Sequence, residues 1–318
     1  MRVLITGGHG FIGRWLAQDL VAQGHDVWAT YDAPPRAGET LPQPIRAVHL
    51  DVRDGHQMEQ VLRASTPDRV YHLAAQSFPT LSWKDPVLTM DVNVKGTVHL
   101  FEAHRKLGLR ARILVACSSA EYGFVRPDEV PTKETQPLAP LHPYGVSKVA
   151  QDLLAYQEHR NYGTHTSRVR IFNTTGPGKT GDVCADLTRR AVEAEQGKLA
   201  VLTVGNLEPR RGFCDVRDMM KALQAALEKG APGEVYNAGA TEAVSIREVL
   251  DMILGLVKNK PRVEQDKALL RPTDEPIILG DSSKLRAATG WQPRVPLPQT
   301  LQDMVEHGRR ALAAGPGA

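Results

Sequence analysis

The chain has 318 residues, 42% of them apolar and 24% charged, with a net charge of +3. That length and composition suit a soluble globular protein of one large domain or two ordinary ones. They exclude a nucleic-acid stripe, because so small and scattered a charge builds no basic face. No apolar run approaches the roughly 20 residues of a membrane helix. The first residues, MRVLITGG, run straight into a strand and a glycine turn with no signal-peptide pattern. The three cysteines, Cys117, Cys184 and Cys214, lie far apart without CxxC spacing, which argues against a disulfide framework or a structural zinc site. The expectation is a cytoplasmic protein.

In chain order, RVLIT is the first strand candidate. TGGHGFIG follows it at the head of a helix whose Ile12, Leu16 and Leu20 share one side. Gly7 permits a tight exit from the strand, Gly10 lets backbone amides approach a pyrophosphate, and Gly13 lets the helix pack closely on the sheet. The helix N-terminus attracts the anion. Phe11 and Ile12 of the same turn join the candidate cofactor contacts. The GxxGxxG spacing in its strand–turn–helix setting resembles the short-chain dehydrogenase/reductase superfamily, in its extended form acting on nucleotide sugars.

The second strand, DVWATY, closes on the stretch ATYDAPPR. A carboxylate at this strand end accepts hydrogen bonds from the adenosine ribose and repels a 2′-phosphate, whereas an Arg pairs with that phosphate. Asp32 stands 19 residues after Gly13, which favours NAD(H) over NADP(H). Arg36 pulls the other way, and Tyr31 occupies the place where many relatives carry the ribose acid. The third strand, RAVHLD, ends at Asp51, either an adenine contact or a helix N-cap, with Val52 beside it. The fourth, RVYHLA, leads to Leu73, Ala74 and Ala75, also candidate cofactor contacts. His72 and His142 read as packing or capping residues. Asn93, in DVNVKGT, matches a family Asn and reads as a structural hydrogen-bonder near the site.

The fifth strand, RILVACS, brings Ser118 to the carboxyl edge of the sheet, where open α/β folds place their sites. HPYGVSK then sets Tyr144 and Lys148 four residues apart, on one face of a helix. A neighbouring ammonium favours phenolate over phenol and so lowers a phenol's pKa from its ordinary value near 10. In the superfamily, a Ser118 hydroxyl orients the substrate oxygen, Tyr144 is the acid/base, and Lys148 also holds the nicotinamide ribose. The dehydratases of the family place an acid pair directly after the catalytic hydroxyl, and its Glu abstracts the proton next to the carbonyl. Here those places hold Ser119 and Ala120, and a methyl group takes no proton. Glu121 comes one place late and, in an extended segment, points elsewhere.

SRVRIFN and GEVYNAG read as two further strands, with a helix near residues 185–196 between them. Ser245 and Glu248 form a capping box at the head of SIREVLDMILGLV. The fold class is α/β: a Rossmann-type doubly wound parallel sheet with a smaller C-terminal substrate-binding lobe. The expected division assigns residues 1–174 plus 214–256 to the dinucleotide-binding domain and 175–213 plus 257–318 to the lobe. The tail AAGPGA reads as disordered.

VGNLEPRRGFCDVRD, RPTDEP and FNTTGPG resemble segments of the GDP-mannose 4,6-dehydratases and GDP-6-deoxy-D-mannose reductases. The resemblance runs from Met1 to about residue 305. It implies substrate contacts at Ser119, Asn173, Asn206, Arg211, Arg271 and Asp274, the guanidinium forks of Arg211 and Arg271 matching diphosphate oxygens. Gly212 departs from relatives that carry an acid there. The activity implied is NAD(P)H-dependent reduction of the C4 ketone of a GDP-4-keto-6-deoxy-mannose-type sugar to GDP-D-rhamnose. The alternatives are an NAD-dependent nucleotide-sugar 4-epimerase, a GDP-mannose 4,6-dehydratase, and a non-catalytic dinucleotide sensor, against which the intact Ser, Tyr and Lys argue. The expected partner is a nucleotide-diphosphate sugar, GDP-linked. The family also implies a homodimer formed through helices near residues 92–106 and 144–160. No HExxH or paired histidine spacing implies a metal.

Overall fold

The computed structural model describes residues 1–33, 41–269 and 275–314. The first half alternates as β1 (Arg2–Thr6), α1 (Phe11–Ala22), β2 (Asp26–Tyr31), β3 (Arg46–His49), α2 (Gly55–Ser65) and β4 (Arg69–His72). Two short helices, α3 (Pro79–Lys84) and α4 (Pro86–Met90), and a wide π turn at Asp91–Lys95 lead into α5 (Gly96–Lys106). β5 (Arg112–Ser118), α6 (Pro143–Tyr162) and β6 (Thr166–Ile171) follow. The second half is more broken: β7 (Thr174–Thr175), α7 (Val183–Glu195), β8 (Val201–Val204), β9 (Arg210–Arg211), β10 (Cys214–Asp215), α8 (Val216–Lys229) and β11 (Val235–Ala238), then β12 (Val244–Ser245), α9 (Ile246–Leu256), β13 (Arg262–Gln265), β14 (Ile277–Ile278), α10 (Ser283–Thr289) and α11 (Leu297–Ala314).

Consecutive Val3, Leu4 and Ile5 of β1 are all fully buried. Side chains alternate between the faces of a strand, so such a run needs cover on both sides. The main sheet supplies it. Its seven strands run in the order β11-β6-β5-β4-β1-β2-β3, and every pairing is parallel. On one face α1 and α8 pack Leu16, Leu20, Leu223 and Leu227 against Val3, Ile5 and Leu114. On the other, α2, α5 and α6 bring Met58, Leu62, Leu100 and Ala155 to Leu4, Ile113 and Val115. The strand order reverses between β1 and β4, and an open sheet binds its ligand at the carboxyl edge of that switch.

A third cluster stands apart from the sheet, where Leu187 and Val192 of α7, Leu202 of β8, Val249 and Ile253 of α9, and Leu301 and Val305 of α11 pack together. The packing departs from the expected division at two places. Helix α9 joins this lobe, not the sheet, because its apolar face meets α7 and α11. Conversely, Leu285 of α10 and Trp291 pack on the sheet side, where the indole Nε1 donates to the Asp218 carbonyl at 3.0 Å. The capping box at α9 forms on both arms: the Glu248 amide donates to Ser245 Oγ at 3.1 Å and the Ser245 amide to Glu248 Oε2 at 2.6 Å.

Candidate active site

At the switch point, Gly7 has φ +69°, and a Cβ there would lie 2.8 Å from the Ala74 Cα. A Cβ on Gly13 would collide with the Gly7 carbonyl, so the turn and α1 close on each other only without side chains. The Gly10 amide donates to the Gly7 carbonyl at 3.0 Å. Gly10 is also the N-cap of α1, and no side chain accepts from the first-turn amides. Those unsatisfied donors, with the helix dipole behind them, suit an anion such as a pyrophosphate. Leu73, Ala74 and Ala75 follow β4 beside this turn. The Leu73 amide donates to the Thr6 carbonyl at 3.1 Å, and the Ala74 amide to Thr6 Oγ1 at 3.3 Å.

At the end of β2, Tyr31 packs between His9 and His49, with ring centroids 5.0 and 5.7 Å away, and Asp32 is exposed. Arg36 lies outside the described residues. Asp51 does not cap α2. Asp54 does, accepting from the amides of His56 at 2.9 Å and Gln57 at 3.1 Å. The Asp51 carboxylate is instead gripped by the Arg53 fork at 2.9 and 2.6 Å, which holds it below the ordinary carboxylate range. Val52 turns its side chain against Gly96, into the core.

The structure brings Ser118, Tyr144 and Lys148 together. Ser118 ends β5, and Tyr144 and Lys148 stand on successive turns at the start of α6. His142 caps this helix, accepting from the Gly145 amide at 3.0 Å, and its ring stacks on Tyr144 at 5.9 Å. Asn93, in the π turn, accepts from the Gln76 amide at 2.8 Å and donates to Ser147 Oγ at 2.8 Å, tying α6 to the loop after β4. His72 is fully buried between Thr6 Oγ1 and Thr97 Oγ1 and is a packing residue.

The electrostatics differ from the expectation that Lys148 makes the phenol acidic. Lys148 Nζ donates to the Ala116 carbonyl at 2.9 Å and lies 5.8 Å from the Tyr144 ring centroid. Burial pushes Tyr144 up to about 12; a hydrogen bond with Ser118 opposes this and the Glu121 carboxyl adds to it. Burial pushes Lys148 down to about 8. Burial thus dominates at both groups, and the protein by itself holds Tyr144 as a protonated phenol.

Nor is the segment after Ser118 extended. Residues Ser119–Glu121 form a single tight turn that folds Glu121 back beneath the strand end. Its carboxyl group is fully buried, accepts from the Ser118 amide at 2.8 Å, and lies 3.2 Å from Arg170 Nε. The Ser118 hydroxyl accepts from the Ala120 amide at 3.2 Å. Ser119 is half-buried in the same turn.

Of the expected substrate contacts, Asn173 follows β6, and its side-chain Nδ2 is a buried donor with no acceptor among the described residues. Such an orphan suits a ligand oxygen. Asn206 accepts from the Glu208 amide at 3.1 Å. Arg211 Nη1 donates to the carbonyls of Arg210 and Glu275 at 2.9 and 2.8 Å. Arg271 and Asp274 lie outside the described residues. A candidate cation that the sequence reading missed is Lys179, in the loop after β7. Its Nζ sits 4.9 Å from the Phe11 ring of the glycine turn, half-buried and lowered by burial. The signal was the lone cation between the glycines of GPGKTG. A cleft of about 1540 Å³ opens beside it between α1, α7 and α11, lined by Arg14, Trp15, Lys179, Asp182 and His307 but by none of Ser118, Tyr144 and Lys148.

Residues 4–304 match the family described as GDP-mannose 4,6 dehydratase. The chain is 30% identical over 303 residues to GDP-6-deoxy-D-mannose reductase of Pseudomonas aeruginosa, covering 95% of each chain. Among solved structures it is similar to RMD from Pseudomonas aeruginosa complexed with NADPH, with TM-score 0.86, 29% identity, and coverage of 98% of this chain and 100% of that one. It is equally similar to the Thermus thermophilus UDP-glucose 4-epimerase complex with NAD, with TM-score 0.87, 31% identity, and coverage of 98% and 100%.

Proposed function

The chain belongs to the GDP-mannose 4,6-dehydratase family, extended short-chain dehydrogenases that act with NAD(P) on nucleotide sugars, and from that premise we propose that it is a ketoreductase. It reduces the C4 ketone of a GDP-4-keto-6-deoxy-mannose-type sugar to GDP-D-rhamnose. The observation that carries this reading lies after Ser118. Position 120 is alanine, and the acid of that turn, Glu121, is folded away beneath the strand with its oxygens on the Ser118 amide and against Arg170. Dehydration needs a carboxylate facing the carbon next to the carbonyl. A ketone reduction needs none.

The glycine turn fits a dinucleotide: no side chain caps the first turn of α1, and Gly7 and Gly13 have no room for a Cβ. When bound there, a reduced nicotinamide would supply the hydride that C4 needs. Tyr144, protonated in the protein, gives its proton to the C4 oxygen as the carbonyl becomes an alcohol. The Ser118 hydroxyl, beside that phenol, orients the same oxygen by hydrogen bonding. Lys148 stands on the same helix face to hold the ribose and to balance the phenolate that Tyr144 leaves behind.

The sheet domain is the cofactor half and the smaller lobe the substrate half. Asp32 at the end of β2 favours NAD(H) over NADP(H). Asn173, Asn206, Arg211 and Lys179 are assigned to the GDP-sugar. The apolar side chains of Trp83, Val87, Val146, Leu153 and Tyr156, all exposed on α3, α4 and α6, are assigned to a homodimer interface, with α3 and α4 in place of the expected helix near residues 92–106, whose apolar side chains Leu100, Phe101 and Ala103 pack into the core. To test the reading, the enzyme is offered GDP-, UDP-, dTDP- and CDP-linked 4-keto-6-deoxy sugars with NADH or NADPH. Loss of nicotinamide absorbance with the GDP sugar supports it, and absence of any oxidation with all four refutes it.

A further inference from the structure

Beneath the Ser118–Tyr144 pair lies a buried ionic cluster that the reaction does not use directly. Asp152 stands two turns after Tyr144 and one after Lys148, so α6 points all three the same way. Glu121, Asp152 and the Cys117 thiol approach within 4.8 Å of one another, each buried. This does not suit a metal cation, because two guanidinium groups already neutralise the cluster: Arg168 Nη1 donates to Asp152 Oδ1, and Arg170 Nε to Oδ2 at 2.8 Å.

One carboxylate oxygen of the cluster is left without a donor among the described residues. Arg170 Nε carries a single hydrogen, and it is aimed at Asp152 Oδ2. Arg170 Nη1 is spent on the Tyr122 hydroxyl and the Glu134 carbonyl, at 3.0 and 3.2 Å. Glu121 Oε1 takes the Ser118 amide, but Oε2 is buried with no donor among the described residues. A buried carboxylate oxygen without a donor is costly, and two carboxyls side by side resolve that cost by sharing one proton.

We propose that Glu121 is a positioning residue, held as a neutral acid whose proton is shared with Asp152, and that it sets the Ser118 amide and hydroxyl against Tyr144. This rests on the ketoreductase reading only for its effect on turnover. The groups facing Glu121 are Cys117 and Ser118 of β5, Tyr144, Lys148 and Asp152 of α6, and Arg170 of β6, with Arg168 behind Asp152. Burial first, and then the Asp152 charge, push Glu121 up to about 8. A neutral Glu121 also spares Tyr144 a second negative charge as the phenol gives up its proton.

The test compares the wild type with Glu121→Gln and Glu121→Leu in the full chain. Gln keeps an acceptor for the Ser118 amide and a donor for Asp152, and Leu keeps neither. Glu121→Gln retains turnover within about threefold, whereas Glu121→Leu loses kcat by about 30-fold or more with KM for both substrates within about twofold. The alkaline limb of the wild-type pH profile moves upward in Glu121→Gln. Two readouts need no substrate. An infrared carbonyl band of a protonated carboxyl, present in the wild type at pH 7, disappears in Glu121→Gln. Because a native acid raised above its unfolded value stabilises below that value, wild-type Tm falls as pH rises from about 4.5 to about 8, and Glu121→Gln flattens that fall. An identical Tm slope and no lost band overturn the neutral acid, even where Glu121→Leu fails to fold. A Glu121→Leu variant with undiminished kcat overturns the positioning role. Unreduced sugar in every variant, with the band and slope changes intact, counts against the ketoreductase reading alone.

Discussion

Tyr144 and Lys148 lie near each other without forming the charge-stabilised pair that their spacing suggests, since burial acts on each separately and disfavours charge on both. Tyr144→Phe removes the proton donor but keeps the ring that stacks on His142. It lowers kcat by about 10²- to 10⁴-fold while cofactor affinity, read by fluorescence titration, stays unchanged. Lys148 carries a different signature. Its native pKa, about 8, lies below the ordinary value, so below pH 8 the fold carries the cost of a buried ammonium. Stability therefore rises as pH climbs from about 8 toward about 10.5, where the native state has lost a proton that the unfolded chain retains. Lys148→Met, which fills similar volume without charge, is more stable at pH 7 by on the order of 2 kcal/mol in urea titration, and inactive.

Among the elements, the glycine turn and α6 were legible from sequence, because each is a local pattern: three glycines between a strand and a helix, and a phenol one turn before an ammonium. The strands were legible too, since RVLIT, DVWATY and RILVACS are apolar runs bounded by turn residues. Glu121 was not. Its orientation is fixed by a turn whose reason lies in Arg170, on the next strand, and in Asp152, on the helix between, so no local window contains it. Helix α9 was read as an element but placed with the wrong neighbours, because its amphipathic face does not say which apolar surface it meets. Two substitutions separate these cases. Gly13→Ala drives a methyl into the Gly7 carbonyl and weakens dinucleotide binding at least about tenfold by calorimetry. Ser245→Ala removes one arm of the α9 cap, far from the switch point, and costs about 1 kcal/mol with kcat unchanged.

Across the whole molecule, a sheet covered on both faces holds the chemistry at its carboxyl edge, and a separately packed lobe of α7, α9 and α11 stands beside it. No helix among the described residues is long and apolar enough to cross a membrane. Several of the large exposed apolar residues lie on α3, α4 and α6, with Trp83 65% exposed and Leu153 52% exposed. We assign that patch to the proposed dimer interface. Trp83→Glu combined with Leu153→Asp yields a monomer in sedimentation analysis where the unaltered chain sediments as a dimer; a monomeric unaltered chain contradicts the assignment.

The central claim is that this site adds hydride to a ketone and strips no hydrogen from carbon. It is tested by reducing GDP-4-keto-6-deoxy-mannose with nicotinamide deuterated at C4 and examining the sugar by nuclear magnetic resonance. The account predicts one deuterium at C4 of the sugar for each nicotinamide oxidised, with the hydrogen at C5 untouched. Solvent-derived hydrogen at C5, or a sugar altered with no nicotinamide consumed, would contradict it.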